Sequence, residues 1–303
     1  MAPGRASPPP PLPRFARFSL PLVCAEGVPS DLVRAELVGG GVRNAGLVSC
    51  ARTSPEALGA LWAARLAEQP GLFNATKFRY EGATVSPDSG VVTFQLGITD
   101  YATFQATNLA EDWEEVLDAH GEGALASALG NGIFLETCDG MVPCLQRSAE
   151  VGEGRGNYCF PGGHPEPDEA VGDDEAVRQE LFRSAAREAV EELGVAASAV
   201  DLAGLRLLGV SRREVNHRPT AFFHARTAMS SAEVAAAYGL KQGADAFEST
   251  LCVFLPADSL RLDVLDARPD RLGQRLSGCH RGGVALFAQF QAARAVRRPP
   301  RDE

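Results

Sequence analysis

The segment Arg187-Glu-Ala-Val-Glu-Glu-Leu-Gly194 constrains this chain more than any other. It closes a stretch, residues 175–193, whose apolar spacing predicts one long helix stopped by Gly194. At about 100° per residue, with Glu188 set at zero, Glu192 lies at about 40° and Glu191 at about −60°. Phe182, Ala186, Ala189 and Leu193 share a narrow apolar stripe that can dock on a core, and the two alanines allow close approach. Three carboxylates on one face repel each other, by a few tenths of a kcal/mol per pair when solvated and by more when partly buried. A divalent cation removes that repulsion, and magnesium suits the donors because it takes oxygen ligands and keeps several waters. A glutamate-rich helix face is also what ordinary solvated surface looks like, so the helix alone does not decide.

Upstream, Pro161-Gly162-Gly163 predicts a tight turn with exposed backbone amides, suited to a loop that leads toward a phosphate. Gly163, Glu169, Arg187, Glu188, Ala189, Glu191, Glu192, Gly194 and Val195 together resemble the signature of the Nudix hydrolases. The spacing departs from that signature at one place: ten extra residues separate Glu169 from Arg187. Either Glu169 or Glu180 then completes the acidic set, Glu180 lying on the carboxylate side of the helix. Further blocks, Lys77-Phe-Arg79, Pro161-Gly-Gly-His-Pro-Glu-Pro167, Glu180-Leu-Phe-Arg-Ser184 and Glu248-Ser-Thr250, are similar to the animal Nudix branch that hydrolyses UDP-glucose and UDP-galactose. That branch also carries an insertion in its signature and an N-terminal α/β extension.

The resemblance implies an α/β (α+β) fold, a Nudix-type α/β/α sandwich with a mixed sheet. It implies magnesium-dependent (Mg2+) hydrolysis of a UDP-sugar to UMP and sugar 1-phosphate, with manganese (Mn2+) able to substitute. The small-molecule partner is then a nucleoside diphosphate sugar. Glu188 and Glu192 are the expected metal ligands, and Glu191 either a ligand or a water-orienting base. Glu248 is the candidate general base outside the signature, against a plain solvated carboxylate. Arg187, one turn before Glu191, is placed to orient a carboxylate. Lys77 and Arg79 sit at alternating positions of a predicted strand, so they share a face, and with Arg212, Gly162 and Gly163 they form the expected substrate contacts. His164 reads as a structural hydrogen-bonding residue, because magnesium disfavours imidazole. Tyr158 and Phe160 read as core, with base stacking as the alternative. Two other readings stand: a Nudix diphosphatase for a dinucleotide or coenzyme A derivative, and a silent Nudix binding module. A silent module has no physical need to keep three repelling carboxylates together.

Composition sets the outer bounds. The formal net charge of −10 argues against nucleic acid as partner, since nonspecific binding needs Lys and Arg on phosphates. No apolar run approaches a membrane span, so no membrane partner is expected. Seven scattered cysteines without a Cys-x-x-Cys pair fit a reducing compartment. Residues 1–24, acid-free up to Leu20 and proline-rich, are expected as a disordered tail. Their prolines disfavour an amphipathic targeting helix, so a cytoplasmic location is expected. An N-terminal α/β extension is expected over residues 25–130, the hydrolase domain over 131–296 and a short tail over 297–303. Within them, helices are expected at 54–69, 113–120, 230 onward and 283–296. Strands are expected at 77–84, 91–97, 205–211, 220–227 and 251–255. Asp139-Gly140 predicts a hairpin between strands at 133–137 and 142–146. No pattern in the chain specifies an oligomeric state.

Overall fold

The computed structural model describes residues 12–149, 154–170, 173–240 and 248–297, without the Glu169 side chain. In chain order the first half forms β1 (Phe18–Pro29), β2 (Val33–Leu37), α1 (Pro55–Glu68), β3 (Thr76–Val85), β4 (Val92–Asp100), α2 (Tyr101–Ala106) and α3 (Trp113–His120). The second half forms β5 (Gly130–Glu136), β6 (Met141–Arg147), β7 (Tyr158–Cys159), α4 (Asp174–Leu193), β8 (Arg206–Arg213) and β9 (Pro219–Arg226). It ends with α5 (Ser231–Leu240), β10 (Ser249–Pro256), α6 (Leu262–Asp266) and α7 (Gly278–Arg297).

A mixed sheet, β1-β8-β9-β5, sits at the centre, with β5 parallel to β9 and the other pairs antiparallel. Helix α4 lies on one side and buries the expected stripe of Phe182, Ala186, Ala189 and Leu193. Helix α7 lies on the other, where Phe287 stacks with Phe134 of β5. This is the layered arrangement the resemblance implies. Two small sheets flank it: β10-β6-β7 and β2-β4-β3. Among the described residues no helix is long and apolar enough to cross a membrane. All seven cysteines are free thiols.

The hairpin expectation needs correction. The turn forms, with the Met141 carbonyl accepting from Thr137 N at 2.8 Å. Its two arms then part, β5 into the central sheet and β6 into the sheet with β10 and β7. The tail expectation is also corrected. From Phe18 onward the segment is a strand paired with β8, with Leu22 and Cys24 buried. The packing shows no break near residue 130: one cluster joins Phe78, Val92 and Phe94 to Leu181 and Phe182 of α4 and Phe223 of β9. Residues 1–11 and 298–303 lie outside the described set.

Candidate active site

Helix α4 begins on an Asp173 cap, whose carboxylate accepts from Glu175 N at 2.9 Å, and ends at Gly194 in the left-handed region, φ 69°. Its last two turns carry Glu188, Glu191 and Glu192 onto the wall of a cavity of about 450 Å³. Glu248, which leads into β10, lines the same cavity and interacts electrostatically with both Glu188 and Glu192. Chain segments far apart in sequence thus bring four carboxylates together.

The glycine loop lies directly against them. Gly162 N donates to the Glu192 carboxylate at 3.0 Å, and Gly163 N donates to Asn131 Oδ1 at 2.8 Å. The expected open amides are therefore taken up inside the protein, one of them in fixing a candidate metal ligand. The His164 amide donates to Glu188. A Cβ on Gly163 would overlap the Glu188 carboxylate, whereas one on Gly162 would overlap the backbone of Asn131 and Gly132. The two glycines consequently differ in what they protect. Gly163→Ala is expected to displace Glu188 and to lower kcat by about a hundredfold with little change in Tm. Gly162→Ala is expected to lower stability by about 1–3 kcal/mol, because backbone cannot give way. Steady-state kinetics and thermal melts separate the two outcomes, and equal Tm losses would contradict the assignment.

Burial, reinforced by the charge of Glu191, pushes the Glu188 carboxyl up to about 7. Burial and the charge of Glu188 push Glu192 up to about 8. Ionising both is therefore costly unless a cation is present. The donors are all oxygen, which fits magnesium or manganese. Among the described residues no three His, Cys, Asp or Glu side chains converge closely enough to hold a metal ion by themselves. A metal bound here would therefore need waters and substrate phosphate oxygens to complete its ligands. A pH dependence follows. A carboxyl raised in the folded state costs nothing below its unfolded pKa of about 4.3. The cost grows as pH rises toward 7 and 8, and is complete above them. In EDTA, Tm is thus expected to fall between pH 5 and 9, with a shallower fall in Glu192→Gln. Scanning fluorimetry checks this, and identical slopes in the two proteins would contradict it.

Cations line the same cavity: Lys77 from β3, Arg147 from β6, Arg213 from β8 and Arg218 from the turn before β9, with Lys77 in electrostatic reach of Glu188 and Arg147 of Glu192. The β8–β9 turn is held by Asn216, whose Oδ1 accepts from Arg213 Nε at 2.6 Å and from Arg218 N at 3.3 Å. Asn108, from the segment between α2 and α3, donates to the Asn216 carbonyl at 2.8 Å. Arg218 donates to His164 Nε2 at 3.0 Å, which requires a neutral imidazole with its proton on Nδ1. Burial, then the neighbouring Arg218, hold the His164 pKa well below its ordinary value, consistent with that role.

Not every expected residue reaches the cavity. Arg79 is only 2% exposed and donates to the carbonyls of Leu125 (3.2 Å) and Gly123 (2.9 Å) and to Glu81. It shares a strand face with Lys77, but residues 123–125 cover it. Arg212 turns the other way from Arg213, as strand alternation requires, and pairs with Glu122 at 2.7 Å. Arg187 does not line the cavity: it pairs with Glu180 at 2.9 Å, more closely than with Glu166 at 3.9 Å. Glu180 is buried and also accepts from Glu166 N, so it ties the loop to the helix rather than joining the cavity. The backbone of Glu169 ends a short turn, Pro167–Glu169. Tyr158 lines the cavity with Arg275 over its ring, while Phe160 is core beside Phe134. Arg147, Arg213, Arg218 and Thr220 escaped the sequence reading, since each is an ordinary strand or turn residue until the fold gathers them.

No protein-family model matches the chain. A protein of Arabidopsis thaliana named Nudix hydrolase 9 is 34% identical over 304 residues, covering 91% of this chain and 91% of its own length. A Bos taurus protein named uridine diphosphate glucose pyrophosphatase NUDT22 is 33% identical over 300 residues, covering 91% of this chain and 98% of its own length. A solved MutT protein from Methanosarcina mazei superposes on 56% of this chain and 95% of its own, at 16% identity and a TM-score of 0.34, too loosely to carry an argument. The likeness to the first two, over nearly the whole of each chain, defines the class of this protein, a hydrolase. The chain belongs to the Nudix hydrolase family.

Proposed function

We propose that this Nudix diphosphatase hydrolyses the pyrophosphate bond of UDP-glucose and UDP-galactose to UMP and sugar 1-phosphate. The observation that carries the reading is one cavity lined both by Glu188, Glu191, Glu192 and Glu248 and by four cationic side chains. A metal-bound diphosphate flanked by two neutral groups matches that combination of charges. The name of the Bos taurus relative supports the choice of nucleotide and sugar.

Glu188, Glu191 and Glu192 would hold magnesium, with manganese as a substitute. When bound, the ion supplies charge neutralisation and an acidified water. The chain's own groups do the rest. The Gly162 and His164 amides fix Glu192 and Glu188, so neither carboxylate must reorient when the substrate arrives. Glu248 faces the same space from another element and is proposed to take the proton of the attacking water. Lys77 is proposed to face the diphosphate. Catalysis of this type is mostly positioning and electrostatics.

The test is incubation with UDP-glucose, UDP-galactose, a dinucleoside polyphosphate and coenzyme A, each with magnesium. UMP from the UDP-sugars at the highest kcat/KM is the expected result. Faster cleavage of another substrate in the panel would overturn the proposed specificity.

A further inference from the structure

Two side chains of the cavity, Thr220 and Lys77, carry polar groups without a side-chain partner among the described residues. Thr220, the second residue of β9, is 3% exposed, and its buried hydroxyl makes no hydrogen bond among the described residues. It lines the cavity. Lys77 also lines it, half-buried, and its ammonium makes no hydrogen bond or ion pair among the described residues. Besides burial, its ammonium feels the attraction of Glu166, Glu188 and Asp168 and the repulsion of Arg218. A buried hydroxyl without a partner, in the same cavity as an unpaired ammonium, is unfavourable unless something completes the set. Arg218 lines the same cavity and is held in place there, its guanidinium 5.9 Å from the Phe104 ring centroid and bonded to His164.

We propose that Lys77, Arg218 and Thr220 form a second phosphate grip, distinct from the carboxylate cluster, that binds one phosphate of the substrate through side chains alone. The chemistry matches group by group. A phosphate oxygen accepts from the Thr220 hydroxyl, and the two cations meet its charge. Neutral sugars and bases offer no charge to Lys77 and Arg218. A free divalent cation is repelled by them.

The inference rests on the diphosphatase reading and adds a division of labour. In the reaction the water oxygen bonds to one phosphorus, and the bond from that phosphorus to the bridging oxygen breaks. The bridging oxygen leaves with its electron pair on the other phosphate, and the proton of the water passes to Glu248. The departing phosphate gains negative charge as the bond opens. Lys77 and Arg218 are the groups that meet it there, already oriented before substrate arrives.

The test is binding without metal and without turnover. In EDTA, glucose 1-phosphate, UMP and inorganic phosphate are each titrated calorimetrically into wild type, Thr220→Val, Thr220→Ser and Lys77→Met. At least one phosphate probe is expected to bind wild type. Thr220→Val and Lys77→Met are each expected to weaken it by about tenfold. Thr220→Ser is expected to retain it, and Mn2+ affinity is expected to stay at the wild-type value in the Thr220 variants and not to fall in Lys77→Met, which removes a cation near Glu188. Which probe binds best identifies the half of the substrate that occupies the grip. Absence of binding by every probe, or wild-type affinity in Thr220→Val and Lys77→Met, would overturn the proposal. The outcome is separable from the assigned activity. Phosphate binding with no UDP-sugar cleavage sinks the activity alone, and cleavage with no phosphate binding sinks the grip alone.

Discussion

Glu192→Gln is expected to lower kcat for UDP-glucose by about 10²–10³-fold while the fold persists. The glutamine keeps an oxygen that can accept from Gly162 N, so the contact between loop and helix survives. It lacks the negative charge a divalent cation needs. It also lacks the buried charge that pushes the native carboxyl up to about 8, so the metal-free variant should melt no lower than wild type above neutral pH. Loss of turnover with an equal or higher Tm in EDTA is therefore the signature of a ligand rather than of a structural residue. Wild-type turnover in a folded Glu192→Gln protein would remove Glu192 from the metal site.

The second large effect concerns stability. Arg79→Met is expected to cost about 2–3 kcal/mol, because it leaves the Gly123 and Leu125 carbonyls and Glu81 without their donor in a covered position. Glu81 keeps partial solvent access, which holds the figure below that for a fully buried pair. Catalysis should change little, since the guanidinium does not line the cavity. Chemical denaturation and the KM for UDP-glucose distinguish the possibilities. A normal midpoint with a raised KM would return Arg79 to the substrate and contradict the structural role.

The contrast between Lys77 and Arg79 shows where sequence reading stops. Alternation put both on one strand face, but whether residues 123–125 cover one of them is a tertiary matter. The same limit applied to Arg212 and Arg213, adjacent in β8, where the strand's registration decides which reaches the cavity. Helix α4 was legible because its signals agree: an apolar stripe, a C-terminal glycine and carboxylates in phase. Strand β1 was obscured by Pro21, Gly27 and Pro29, which an edge strand tolerates because it pairs on one side only. Helix α7 starts five residues before the expected position 283. Gly278, Gly282 and Gly283 weaken its helical signal, yet a Cβ at these positions would strike Arg17, Ser211 and Phe222 respectively. The metal-site candidates could be read because they lie one helical turn apart. The cationic lining could not, since Lys77, Arg147, Arg213 and Arg218 converge only through three different sheets and a turn.

Glu188, Glu191 and Glu192 are proposed to hold a divalent cation. Electron paramagnetic resonance of Mn2+ titrated into the protein tests that most directly, because free and bound Mn2+ give different signals whether or not the substrate is known. Wild type is expected to bind Mn2+ increasingly tightly as pH rises through 7 and 8, where the two raised carboxyls ionise. Glu188→Gln and Glu192→Gln are expected to weaken binding by about tenfold or more at pH 8. Wild-type Mn2+ affinity in both variants, with their folds intact, would contradict the account.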